Sequence, residues 1–316
     1  MKSFLYNYIR SMRLYYCFVT GTTVLVGMVL ALDIASMVDY GKPTTTQQAV
    51  LLLVGFLAWG VNQIFSDYLD RKEDAINAPH RPMVTGALPP RPALLLSALL
   101  MLVFAIASAC VSIWTLPVLA CGATLNCAYS LLKKVPVLNC IVYACAIGCC
   151  ALYGYVGCLN AFHDSSLLPL LAILLVTIHF LMCHNSYFKD VPGDKAAGIR
   201  TLQTSCPTHV SITVSLVVFA AFFIYGVTSL LPRYDGIISK LIIYYIHLLL
   251  QILLASLHIK NILAENHHKA TRLNCELCVS MLYTLILQIE HSLLILEILS
   301  LLIIEALFLW YRDEKE

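Results

Sequence analysis

The chain is 316 residues long, 60% hydrophobic and only 12% charged, with a net charge of +2. Its mean hydropathy of +0.82 excludes an ordinary soluble domain, which runs near half apolar and a quarter charged. The near-neutral balance gives no field for nucleic acid, so the class is a polytopic membrane protein.

A helix needs about 20 apolar residues to cross a bilayer. The sequence therefore predicts spans near 15–36, 48–66, 93–112, 114–132, 137–159, 167–187, 208–231, 239–258 and 280–310. These make about nine transmembrane helices in one all-α domain over residues 1–316. Met1–Arg13 is polar and basic, carries no cleavable leader pattern and resembles an organellar transit segment only weakly. The last run is long for one span, and its first part is expected to lie along the interface or form its own helix. With the amino terminus inside, 15 of the 20 Lys and Arg residues fall in inner segments and 5, including Arg312 and Lys315, in outer ones. That is the positive-inside bias.

Two acidic clusters then share the inner face. Ser66-Asp67-Tyr68-Leu69-Asp70-Arg71-Lys72-Glu73-Asp74 follows the second span. Asp67, Asp70 and Asp74 at i, i+3 and i+7 share one helical face, so all three are expected to point into one cavity. The loop beyond carries His80-Arg81-Pro82 and Thr85-Gly86, with Arg81 suited to a bidentate phosphate contact. Asp190-Val191-Pro192-Gly193-Asp194-Lys195 follows the sixth span, and its Pro and Gly place it on a helix end or turn.

Carboxylates at a membrane edge are expensive unless neutralised. Beside Lys and Arg they suit Mg²⁺ shared with phosphate oxygens, which points to diphosphate chemistry. The plainer alternative is an interfacial charge run without a ligand for the first cluster and a plain polar turn for the second. An ion-coupled transporter would carry such carboxylates near the midplane of repeated halves, whereas these lie at span ends without a repeat.

Gln63, Asn126, His184 and Asn185 lie towards the inner ends of spans two, four and six. They either line a cavity, Asn126 and His184 being the better candidates, or bond between helices. Tyr129 and Tyr187 adjoin the motifs and are candidates to touch a diphosphate. Glu290, His291, Glu297 and Glu305 read as structural pairing or an interfacial helix start. The thirteen cysteines, with Cys275 and Cys278 at CxxC spacing, read as packing rather than disulfides or a metal site.

Ser66 to Gly86 resembles the NDxxDxxxD motif, with its Arg-Pro-x-x-Ser/Thr-Gly continuation, of the UbiA superfamily of intramembrane prenyltransferases. Lys189 to Leu202 is similar to that family's second motif, DxxxD with its Gly-Asp and Thr-Leu tail, and Tyr129-Ser130-Leu131-Leu132-Lys133-Lys134 resembles its Tyr-Ser/Thr-x-x-Leu-Lys-Arg segment. The resemblance covers residues 10 to 310 and implies a helical bundle around a central cavity open to lipid. It further implies that Asp67, Asp70, Asp74, Asp190 and Asp194 hold Mg²⁺ and are the catalytic carboxylates, with Arg71, Lys133 and Lys195 on the diphosphate of a polyprenyl donor. Asn62, Ser66, Arg81, Asn126, Tyr129, His184 and Tyr187 complete the expected substrate-binding set.

The implied activity is Mg²⁺-dependent transfer of a polyprenyl group from an allylic diphosphate to an electron-rich acceptor of unknown identity. The expected partners are those two substrates and membrane lipid, with no protein or nucleic acid, and the site is expected on the inner face. One departure opens an alternative. Ser66 stands where the family has Asn, and Asn62-x-x-x-Ser66-x-x-x-Asp70 resembles the variant motif of the superfamily's terpene cyclases, which act on the donor without an acceptor.

Overall fold

Apolar runs in this chain fold as helices because a backbone in lipid must satisfy its own hydrogen bonds. The computed structural model describes residues 2–37, 42–132, 135–161, 168–230 and 238–312. The chain opens with α1 (Lys2–Ser11), turns at Arg13 (φ 49°), and enters α2 (Leu14–Met37). A capping box between Thr44 and Gln47 starts α3 (Thr45–Leu69), which is followed by the short α4 (Arg71–Asn77). Then come α5 (Pro90–Val111), opened by a proline that needs no donor there, and α6 (Thr115–Leu132).

Next are α7 (Leu138–Leu159) and α8 (Leu168–Ser186). After α8 a 3₁₀ turn at Tyr187–Lys189 leads into α9 (Val191–Ala196) and α10 (Leu202–Ser205). The remainder is α11 (Thr208–Leu230), α12 (Ile238–Leu263), α13 (His267–Leu287) and α14 (Leu294–Arg312).

Eight of these helices are long and apolar enough to cross a membrane: α2, α3, α5, α7, α8, α11, α12 and α14. They make the protein an all-α, multi-pass membrane protein. Two more, α6 and α13, have 18 and 21 residues and pass through the same bundle. The expected 280–310 span divides, as its length allowed: α13 ends at Leu287 and a 3₁₀ turn at His291–Leu293 precedes α14. The return carries Tyr311 back to the start of the bundle, where its hydroxyl bonds Ile9 O (3.3 Å) and meets Leu14 N (3.4 Å). Arg312 therefore lies at the end that bears the acidic motifs, not at the opposite end as charge counting placed it. Lys315 lies outside the described residues.

Helix α13 is buried from Leu273 to Leu287, so it needs no lipid-facing side. Its polar residues are matched from neighbours. Glu297 of α14 accepts Ser280 Oγ (2.8 Å) and lies 3.0 Å from His247 Nδ1 of α12, the structural pairing expected for that acid. Helices α2 and α7 approach closely: a Cβ on Gly27 would sit 1.8 Å from Ala151 O. Such small-residue contacts replace the hydrophobic drive that lipid removes. Exposed Leu95, Leu99, Ile106, Leu249 and Leu302 face outward, as lipid-contacting side chains do.

Candidate active site

Both acidic segments are helix-to-helix joints at one end of the bundle. Asp70 closes α3 by donating its N–H to Ser66 O (2.9 Å), and its carbonyl accepts Asp74 N (2.8 Å) to begin α4. Asp190 does the same after α8: its N–H reaches Tyr187 O (3.1 Å) and its carbonyl accepts Asp194 N (2.9 Å). The Pro and Gly of this motif thus fall in a first helical turn, where the sequence placed them. Across the gap, Gly193 N–H donates to Asn77 Oδ1 (2.7 Å). A Cβ on Gly193 would come within 2.4 Å of that amide, so this contact between α4 and α9 requires glycine.

The joints enclose a polar cavity of about 150 Å³. Asp70, Asp74, Asp190 and Asp194 line it, together with Glu73 and Lys189. Expected residues Asn62, Ser66, Arg81, Asn126, Tyr129 and Tyr187 are also in its wall. The Tyr129 and Tyr187 hydroxyls lie 3.0 Å apart, and Asn139 Nδ2 donates to Tyr187 Oη at 3.2 Å. Asp67 differs from the expectation of one shared cavity. The bend at Asp70 turns it into an adjoining cavity of about 220 Å³, which shares Arg13, Asn77, Arg81, Lys189 and Asp190 with the first. Gln63 bridges the two, lining the first and donating to Asp67 Oδ1 (3.2 Å).

Basic side chains neutralise the carboxylates. Arg13 pairs with Asp67 and Arg81 with Asp74, while Arg81 Nη1 also stands 3.8 Å from Asp67. Lys189 Nζ holds both Asp190 oxygens (2.8 and 2.7 Å). Burial pushes the Asp74 carboxyl above its ordinary range against the pull of Arg81 and Arg13. Burial by itself lowers Arg13, but Asp67 beside it overrides this and holds the guanidinium protonated above its usual range.

Asp67 Oδ2 is buried and has no hydrogen-bond partner, as a carboxylate oxygen aimed at a cation would be. Among the described residues no three acidic, thiol or imidazole groups stand close enough to cage a metal alone. The donor set still suits magnesium, which binds through one or two carboxylates and completes its shell with water and phosphate oxygens.

Several expected residues lie elsewhere. Arg71 is one residue past Asp70 and Lys195 one past Asp194, about 100° round the helix, and neither lines these two cavities. Arg71 instead bonds Tyr68 O (3.0 Å) and stacks on that ring, while Lys195 is exposed. His184 is a correction: it is buried with Nε2 2.9 Å from Ser211 O, pinning α8 to α11 rather than lining the cavity. Asn185 likewise bonds between helices, to Asn274 and Ser215. Lys133 lies outside the described residues. Conversely, Arg13, Asn77, Lys189, Trp59 and Tyr143 line the cavity without having been singled out. Arg13 carried one usable signal, a lone cation immediately before the first span.

The polar cavity continues into an apolar one of about 130 Å³ between α2, α3, α6 and α7, sharing Trp59, Asn62, Asn126 and Ile147 with it. At the junction the Trp59 ring lies 5.9 Å from Tyr143 and 5.6 Å from Tyr16.

Known proteins resemble this chain in sequence and in fold. A digeranylgeranylglyceryl phosphate synthase of Methanothrix thermoacetophila is 29% identical over 227 residues, 71% of this chain and 80% of the relative. The synthase of the same name from Natronomonas pharaonis is 28% identical over 199 residues, covering 62% and 69%. The fold matches the apo structure of a UbiA homologue from Aeropyrum pernix (TM-score 0.65, 16% identity, 88% of this chain and 98% of that one). It also matches a homologue from Archaeoglobus fulgidus bound to GPP and Mg²⁺ (TM-score 0.61, 14% identity, 89% and 99%). The model of the UbiA prenyltransferase family matches residues 21–310, and the chain belongs to that family.

Proposed function

We propose that this protein transfers a polyprenyl group from an allylic diphosphate to an electron-rich acceptor in the membrane, with Mg²⁺. The observation that carries the reading is the junction itself: a carboxylate-lined polar cavity opening into an apolar one between helices. A diphosphate head fits the first and an isoprenoid tail the second, where each buried methylene is worth about 0.8 kcal/mol. The homologue bound to GPP and Mg²⁺ supports this choice of donor.

When bound by Asp67, Asp70, Asp74, Asp190 and Asp194, magnesium supplies charge neutralisation for the diphosphate. Arg13, Arg81 and Lys189 hold positive charge where the leaving pyrophosphate becomes more negative, which stabilises the transition state over the ground state. The Tyr129 and Tyr187 hydroxyls are placed to donate to its oxygens. As the allylic C–O bond breaks, the rings of Tyr16, Trp59 and Tyr143 face the carbon that turns cationic. The acceptor's electron pair forms the new bond, its proton leaves, and pyrophosphate departs.

The presence of Asn62, Ser66 and Asp70 together in the wall keeps a second reading, terpene cyclisation of the donor without acceptor. The relatives' name, with a glyceryl phosphate in the product, favours transfer. Incubating purified protein with Mg²⁺ and geranyl, farnesyl or geranylgeranyl diphosphate, first without and then with an acceptor panel, separates the two. Cyclic hydrocarbon or alcohol in the first arm sinks transfer; turnover only in the second supports it.

A further inference from the structure

Asn139 takes no part in the chemistry above, yet its side chain supports the wall of the polar cavity from behind. It is 1% exposed and lies in the first turn of α7, where the leading N–H groups have no partner within the helix. One of these, Cys140 N, donates to Asn139 Oδ1 at 2.7 Å. The amide nitrogen of Asn139 donates to Tyr187 Oη at 3.2 Å, and Tyr187 Oη lies 3.0 Å from Tyr129 Oη. A strained corner delivers Asn139 to this place. Val137 takes φ 68°, which is disfavoured for a β-branched residue, and Leu138 N–H closes a tight turn on Pro136 O (2.8 Å). Such strain persists only where the surroundings hold it.

These contacts fix the sense of a hydrogen-bond chain. A backbone N–H only donates, so the atom facing Cys140 N is the amide oxygen. The atom facing Tyr187 is then the amide NH₂, which also only donates. Tyr187 Oη therefore accepts from Asn139, and its own proton is left for Tyr129. Tyr129 accepts it and turns its proton into the cavity. Burial agrees with this order: Tyr187 is 3% exposed, whereas Tyr129 is only half-buried. The Tyr129 ring is held edge-on against Tyr143, 5.4 Å away. Cys183 also touches both hydroxyls, but a thiol is too weak a partner to redirect them.

We infer that Asn139 is a positioning residue: through Tyr187 it aims the Tyr129 hydroxyl proton at the diphosphate, so that of the two tyrosines Tyr129 makes the contact. The inference rests on the donor site described above and deepens it by naming the group that donates and what aims it. Each bond in the chain polarises the next, which makes Tyr129 a stronger donor. Aimed in advance, its hydroxyl needs no reorientation as charge gathers on the leaving pyrophosphate.

Asn139→Asp keeps the shape and inverts the sense. A carboxylate only accepts, so Tyr187 turns its proton back, Tyr129 follows, and an oxygen lone pair faces the anion. The test is magnesium pyrophosphate binding to the full chain in detergent, with the thermal midpoint of each variant as a folding control. Asn139→Asp should weaken binding roughly ten-fold or more, and Tyr187→Phe, which breaks the chain without reversing it, should cost less. Adding Tyr187→Phe to Asn139→Asp should restore part of the lost affinity, because Tyr129 then has no acceptor behind it. Neither a packing defect nor repulsion from the new carboxylate produces that rescue. Unchanged affinity in Asn139→Asp, or a double variant that binds no tighter than Asn139→Asp, overturns the inference. Should Asn139→Asp not fold, the cycle of Tyr187→Phe with Tyr129→Phe decides. The loss from Tyr187→Phe should vanish once Tyr129 lacks its hydroxyl; a loss that persists overturns the inference. Absence of binding by the unaltered chain sinks the donor site itself. Binding that follows the expected pattern, without prenylated product from any acceptor, would sink transfer and leave the role of Asn139 standing.

Discussion

Arg13 and Asp67 illustrate how a charge is held at the edge of this bundle. Asp67 is 1% exposed, and its neutralisation depends on Arg13, with Arg81 Nη1 further off at 3.8 Å. Removing one partner of such a pair leaves an uncompensated buried charge. Arg13→Ala should therefore lower stability by up to roughly 3–5 kcal/mol, read as a fall in thermal midpoint, whereas Arg13→Lys should recover most of it. An unchanged midpoint in Arg13→Ala would mean that Asp67 is neutralised by other groups. Asp70 and Asp190 are less buried and head the two helical joints. Asp70→Ala or Asp190→Ala should reduce turnover by about 100-fold or more while the protein still inserts, since under the proposed function each removes a carboxylate that would hold magnesium against the diphosphate. Wild-type-like turnover in either variant removes the metal assignment.

At the scale of elements, what matters is the meeting of α4 with α9. These short helices carry the two motifs, and the hydrogen bond from Gly193 N–H to Asn77 Oδ1 ties them. Gly193→Ala places a methyl 2.4 Å from the Asn77 amide, so α9 must move away and take Asp190 and Asp194 with it. Turnover should drop at least ten-fold with little loss of helical content. Adding Asn77→Ala should cost less than the two single changes combined, because both act on the same contact. Full additivity in that cycle would show that the two residues do not communicate. The apolar patterning that makes α3 and α8 was readable in the sequence. Their termination at Leu69 and Ser186, followed by a turn that restarts a helix, followed from Asp70 and Pro192 less directly, and no periodicity marks Asn77 as the partner of Gly193.

For the whole molecule, the passage of α13 back through the bundle decides which residues share an end. The turn from α12 into α13 brings His267 and His268 to the cavity lined by Arg10 and Arg81, and after α13 has crossed the bundle α14 returns Tyr311 to Ile9 and Leu14. Single-cysteine variants at Thr85 and Lys269 should thus react with an impermeant thiol label from one side of a sealed vesicle. A variant at Trp114, in the turn between α5 and α6, should react from the other. Labelling of Thr85 and Lys269 from opposite sides would refute this path.

The sequence by itself determined the class, the approximate number of spans, and the identity of the two carboxylate motifs. Each of these follows from local patterns: apolar runs of bilayer length, charge bias between loops, and fixed spacings such as that from Asp67 through Asp74 to Arg81. It left Glu297 between structural pairing and an interfacial helix start, since an isolated carboxylate in lipid is too costly, and the structure supplies the pairing through His247 and Ser280.

Only the tertiary structure decided which way each side chain faces. Arg71 and Lys195 adjoin the right aspartates in sequence and turn outward, because one residue is about 100° of rotation on a helix. His184 sits within two turns of the second motif yet bonds Ser211, since α11 packs against that side of α8. Helix α13 hid from hydropathy because its burial is shared with other helices rather than with lipid, so its polar residues carry no lipid penalty. Arg13, distant from both motifs in the chain, reaches Asp67 through the corner between α1 and α2. Contacts of that range depend on how helices pack, which no local spacing encodes.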